Sequence, residues 1–118
     1  MLYVLFEVTV KEEGISEYLS LAAGLKKHLE RAKGFIRSER FQSIVNEGKI
    51  LSLSVWETEK DVEIWRNMVE HRMSQKKGHN SLFENYTITV ASQIRQYTQS
   101  EREEAPLDSN TFFSSCID

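Results

Sequence analysis

Cysteine and proline occur once each in these 118 residues and histidine three times, and each scarcity excludes something. Cys116 alone cannot form an internal disulfide, which suits a reducing cytoplasm. His28, His71 and His79 have no ligand-type residue four positions away, and there is no Cys-x-x-Cys, so no metal centre is expected. Neither a Gly-x-Gly-x-x-Gly nor a phosphate loop is present, which leaves nucleotide cofactors without a seat. A nucleophilic serine or cysteine motif is missing as well. No apolar run approaches the ~20 residues that span a bilayer, so no membrane association is expected. Residues 1–10 alternate and run into Lys11-Glu12-Glu13, unlike a signal peptide, and a cytoplasmic location is the expectation.

Excess positive charge is also missing. The net charge is −3, and residues 99–118 carry five acids against Arg102 alone, leaving the body 14 bases against 13 acids. A near-neutral body without a basic stripe argues against nucleic acid as a partner. The length fits one domain.

What is there reads as βαββαβ. Residues 2–10 alternate as a strand, with Tyr3, Leu5, Glu7 and Thr9 on one face and Val4, Phe6, Val8 and Val10 on the other. Gly14 breaks that pattern, and Ser16 is the expected N-cap of a helix over 17–33, with Gly34 as its stop. A second strand is expected over 35–45. Asn46-Glu47-Gly48 is hairpin chemistry leading to a third strand over 49–56, with Leu51, Leu53 and Val55 on one face and Ser52, Ser54 and Trp56 on the other. Thr58 and Asp61 are spaced as a capping box for a second helix ending near Gly78, and a β-branched fourth strand is expected over 86–97. Two helices on one face of a four-stranded antiparallel sheet make an α+β ferredoxin-like plait. Its other face is too apolar for water, so a homodimer is expected. Residues 1–98 form the domain and 99–118 an acidic tail, in which Phe112-Phe113 is either a chance pair or a clip onto a partner subunit.

The segment from Trp65 to Tyr97 concentrates aromatic, imidazole, guanidinium and amide groups at a helix-to-strand junction, which makes it the expected lining of a small-molecule pocket. On the second helix Val62, Trp65, Val69 and Met73 form a core stripe. Ile64, Met68, His71 and Gln75 form a second stripe that starts apolar and ends polar, as a helix edge entering a cleft does. Trp65 reads either as core or as an aromatic wall with an N–H to satisfy, and His71 either as a surface histidine or as a proton acceptor near neutral pH. Arg72 reads as half of a surface ion pair or as the holder of an anionic ligand oxygen.

Gly34-Phe35, Ser38-Glu39-Arg40-Phe41, Leu51 to Glu57, Trp65-Arg66, Glu70-His71-Arg72, Gln75, Gly78, Phe83, Tyr86, Ile88, Val90-Ala91 and Arg95-x-Tyr97 together resemble the antibiotic biosynthesis monooxygenase domain family over residues 2–97. The resemblance implies a dimer whose two sheets close into a barrel. It also implies oxidation of an acidic quinol-like or aromatic metabolite by O2 without metal or flavin. Trp65, His71, Arg72 and Tyr86 are then the candidate catalytic residues, and Phe6, Met68, Gln75 and Phe83 the candidate ligand contacts. A haem-degrading branch shares the spacing of Trp56 and Trp65. It uses an asparagine and a histidine at the positions that match Phe6 and Gln75 here, and an amide is a poor iron ligand. Haem is therefore the alternative cofactor reading, and a non-catalytic ligand-binding dimer is the third.

Overall fold

The computed structural model describes residues 1–75 and 83–117, with side chains described for residues 1–70 and 85–112. The order is β1 (Leu2–Val10), α1 (Ile15–Arg31), β2 (Phe35–Gln42), β3 (Lys49–Trp56), α2 (Glu59–Gln75), β4 (Phe83–Ser92) and α3 (Leu107–Ile117), with one 3-10 turn over Glu12–Gly14. The four strands pair antiparallel in the order β2-β3-β1-β4, which is the expected plait.

Cross-strand register fixes the two faces. Val8 stands between Ile50 of β3 and Tyr86 of β4, and buried Val8, Val10 and Tyr18 form a core cluster with Phe6, Ile15 and Ile50 packed against it. The even-numbered side of β1 therefore faces the helices. Tyr3, Leu5, Leu51, Leu53 and Val55 belong to the opposite face, together with the Glu7–Lys49 pair at 3.5 Å. A register shift between Phe35 and Arg37 seats Phe35 opposite Trp56 and Arg37 opposite Val55, so the bulge turns the start of β2 over between faces.

Several expected boundaries move. Ser16 is not an N-cap: α1 begins at Ile15 with Gly14 in the cap position and no side-chain cap bond, because the 3-10 turn runs straight into the helix. β2 stops at Gln42, where Ser43 N–H bonds Lys49 O and Ser43 Oγ accepts from Asn46 N–H, so residues 43–48 close the hairpin with Gly48 at φ +80°. β4 ends at Ser92, well short of Tyr97. The end expected for the second helix near Gly78 lies outside the described residues. The acidic tail contains a helix. Arg102 stacks over Tyr97, with its guanidinium carbon 5.2 Å from the ring centre, and donates to Thr98 O, Asn110 Oδ1 and Ser109 Oγ, which ties α3 to the chain entering it. Phe112 is exposed on that helix, and the Phe113 side chain lies outside those described.

The Thr58–Asp61 cap forms as expected. Asp61 N–H donates to Thr58 Oγ1 at 3.1 Å, and the hydroxyl donates to Asp61 Oδ2 at 2.7 Å. The buried Asp61 carboxyl lies directly against Gly34, which has φ +78° and whose carbonyl accepts from Glu57 N–H at 2.8 Å. A side chain at position 34 would meet both a left-handed backbone and the Asp61 carboxylate. Gly24, inside α1, has open space around it. Gly34→Ala is therefore expected to destabilise by about 2 kcal/mol or more. Gly24→Ala should stabilise by roughly 0.5–1 kcal/mol, since glycine costs that much in a helix interior. Urea unfolding of the two variants beside wild type checks the opposite signs.

Candidate active-site cleft

Between the sheet and the two helices lies a cleft of about 550 Å³, within the range of small-molecule sites. Its floor follows from the register. One row across the sheet runs Arg40, Ser52, Phe6, Ile88 and the next runs Ser38, Ser54, Val4, Val90, in the order β2, β3, β1, β4. All eight border the cleft. Along these two rows the floor thus passes from charged and hydroxyl side chains at β2 to Ile88 and Val90 at β4.

Leu21, Leu25 and Leu29 of α1 form one wall, and Val62, Trp65 and Val69 of α2 the other. Both helices are fastened near their starts. The Tyr18 and Ser52 hydroxyl oxygens are 3.2 Å apart, in hydrogen-bond contact. Trp56, fully buried, packs edge-on to Phe35 at 5.6 Å between ring centres and against Trp65 at 5.8 Å. Its indole N–H donates to Ser54 Oγ at 2.8 Å. On the far side the Phe6 and Tyr86 rings lie 5.6 Å apart at 52°, a tilted cross-strand pair.

Of the residues singled out in the sequence, Phe6, Trp65 and Tyr86 border the cleft. Met68 does not border it. The helical repeat places Met68, at ~100° per residue, roughly a quarter of a turn from the middle of the wall made by Val62, Trp65 and Val69. Ile64, on the same expected cleft-entering stripe, is exposed. The stripe assigned to the core is the one that lines the cleft. The side chains of His71, Arg72, Gln75 and Phe83 lie outside those described, as does His79.

Sequence reasoning passed over Arg40, Arg66, Glu70, Ser52 and Ser54 as site residues. The two serines carried a signal, since they alternate on the face that Trp56 shares. Arg66 and Glu70 carried an i,i+4 pairing signal, and they meet at 3.3 Å on the cleft wall. Among the described residues there is no cluster of three or more metal-ligating side chains, and no helix is long and apolar enough to cross a membrane.

Helices that stand off the sheet around a largely apolar cleft with a few placed polar groups define an α+β plait with a cleft of small-molecule size. Residues 1–77 match the family model of antibiotic biosynthesis monooxygenase, and the chain belongs to that family, one of monooxygenase type. It is 37% identical over 90 residues to a jasmonate monooxygenase of Pyricularia oryzae, a match covering 76% of this chain but only 42% of that longer protein. The fold is shared with a solved antibiotic biosynthesis monooxygenase homologue of Deinococcus radiodurans (TM-score 0.70, 12% identity, covering 83% of this chain and 97% of that one). It is also shared with SnoaB, a cofactor-independent oxygenase of Streptomyces nogalater (TM-score 0.64, 13% identity, 80% and 94% covered).

The indole hydrogen bond gives a stability prediction. Ser54→Ala leaves the buried Trp56 N–H without its acceptor, and an orphaned buried donor costs about 1–3 kcal/mol. Urea unfolding followed by circular dichroism should show a loss in that range, and an unchanged midpoint would mean that the indole N–H finds another acceptor.

Proposed function

We propose that the protein is a homodimeric, cofactor-independent monooxygenase that oxidises a small aromatic or quinol-like metabolite in the cleft, in a reducing cytoplasm. One observation carries the reading: the cleft is lined mostly by apolar side chains of β1, β4 and the two helices, yet hydroxyl, indole and guanidinium groups border it. Such a site can hold an organic anion away from water, which favours reaction of that anion with O2 over its reprotonation. The fungal relative's name and the description of SnoaB point the same way. The face of the sheet away from α1 and α2, with Leu5, Leu51 and Leu53, would be covered by a second copy.

The chemistry asked of the protein is modest. Removing a proton from an activated CH2 or OH group leaves an electron-rich anion, which gives one electron to O2. The substrate radical and superoxide combine to a peroxide, and for a CH2 centre loss of water leaves a ketone, so that one O2 yields one carbonyl and one H2O. Trp65, Tyr86 and Phe6 would confine the ring, and Ser52 and Ser54 would offer hydroxyl groups to the developing anion. The proton acceptor is either His71, the sequence candidate, or its neighbour Glu70, which borders the cleft against Arg66, whereas Arg72 is the candidate partner of the anionic oxygen. Haem is the alternative reading, and Phe6 speaks against it. Phe6 stands where the haem-degrading pattern has an amide, and its ring is taken up with Tyr86.

An oxygen electrode tests the proposal with a panel of quinols, anthrones and jasmonate. Wild type should consume O2 above the protein-free rate, Trp65→Ala should lower turnover, and either Glu70→Gln or His71→Ala should lower it by about a hundredfold, the usual scale of a general base. No uptake with any member of the panel, or unchanged turnover in all three variants, would sink it.

A further inference from the structure

We propose that the occupant of this cleft is an apolar molecule bearing a carboxylate, held across the strands with its carboxylate toward Arg40 at the β2 end and Lys26 of the α1 wall, and its apolar body toward Phe6, Ile88 and Val90.

The charge distribution around the cleft leads there. Among the described residues, five charged ones border it: Lys26, Glu39, Arg40, Arg66 and Glu70. Arg66 and Glu70 neutralise one another at 3.3 Å. Glu39 stands opposite Leu53 in the β2–β3 register, in the rows of the face turned away from the helices, so its carboxylate does not answer the cleft's cations. Arg40 pairs with Ser52 in a helix-facing row, and Lys26 lies between Leu25 and Leu29, which both form the α1 wall. Neither side chain makes an ion pair or hydrogen bond among the described residues. Arg40 thus stands at the β2 end and Lys26 on the α1 wall, while toward β4 the described floor is Ile88 and Val90, with the Tyr86 ring beside them.

That polarity fixes direction as well as charge. Four strands about 4.8 Å apart put roughly 14 Å between β2 and β4, so a molecule long enough to touch both ends must be polar at one and apolar at the other. Ser38, Ser52 and Ser54 fill the step between, where a neutral oxygen of the ligand finds hydroxyl partners. Arginine adds a planar fork suited to a carboxylate, and lysine a second point charge. Both heads are exposed, so they act as a mouth clamp that selects the ligand and sets its orientation.

The inference rests on the oxygenase reading only in taking the occupant to be the substrate, and it is tested by binding without turnover. Dodecanoate and dodecanol share one tail and differ in the head. The chain's two tryptophans are Trp56 and Trp65, of which Trp65 borders the cleft, so intrinsic fluorescence reports occupancy. At neutral pH and low salt, dodecanoate should bind at least about tenfold tighter than dodecanol, the scale of one charge-assisted contact. The double variant Lys26→Gln/Arg40→Gln should abolish that preference and leave dodecanol unchanged. Since both side chains are exposed, its circular dichroism should match wild type. Equal affinity for acid and alcohol in wild type, a preference that survives the double variant, or no saturable response to either compound would overturn the proposal. Oxygen uptake in the panel assay would survive that outcome, and a protein without oxygenase activity would still discriminate the two heads, so the two readings fail separately.

Discussion

Trp56 joins the sheet to the second helix, and the cleft exists because of where that joint lies. The residue ends β3, stands opposite both Leu2 and Phe35, and is wholly shielded from solvent by Phe35 on one side and Trp65 on the other. Gly34 and Asp61 meet beside it at a distance that only a glycine allows, and the same Asp61 caps α2. The start of α2 is thereby fixed in position and direction. Buried Val62 lies close to the joint, whereas Val69 is only half-buried. On the other side of the sheet's centre, Tyr18 does for α1 what Trp56 does for α2, through burial and its contact with Ser52. Two helices held at their beginnings leave a gap between their later turns and the sheet.

That arrangement spends core on ligand. Leu21, Leu25 and Leu29 would be fully buried in a plait whose helices lay flat on the sheet, and here they remain half-exposed around the gap. Each forgoes part of the roughly 1.5–3 kcal/mol that complete burial of such a side chain provides. An apolar molecule entering the gap restores some of it, so binding and stability are coupled. The serines on β3 follow the same logic. In a packed core they would be costly, but Ser54 answers the indole N–H, Ser52 answers the Tyr18 hydroxyl, and both still face the gap.

Much of the frame was legible because it depends on local chemistry. Alternation along residues 2–10 and 49–56 gave the correct faces, the Thr58–Asp61 spacing gave the cap, and Asn46-Glu47-Gly48 gave the hairpin. The failures have physical causes of their own. Ser16 looked like a cap because its side chain suits one, yet the 3-10 turn before it already continues into helical geometry and needs no side-chain acceptor. Residues 43–45 kept strand-like composition, but closing the hairpin consumes them. α3 was hidden in an acidic, serine-containing segment because an eleven-residue helix is marginal alone, and what steadies it is Arg102, a residue that no helical pattern would single out.

The candidate site shows where pattern reading stops for a deeper reason. Periodicity on α2 reports which side of the helix faces the sheet, and Val62, Trp65 and Val69 do face it. It carries no information about the distance at which they face it. A stripe that packs against the sheet and a stripe that lines a gap above it have the same spacing and the same hydrophobicity. The second stripe therefore drew attention only because it ended in polar residues, while Ile64 on it is exposed and Met68 lies outside the wall. The distance is set by the Phe35–Trp56, Trp56–Trp65 and Gly34–Asp61 contacts, the first and last of which join segments far apart in the chain. Sites built as gaps in a core are consequently read best from the groups a filled core would not tolerate. On this face of the sheet those groups are Ser52, Ser54 and Arg40, and they lead toward the β2 mouth of the cleft.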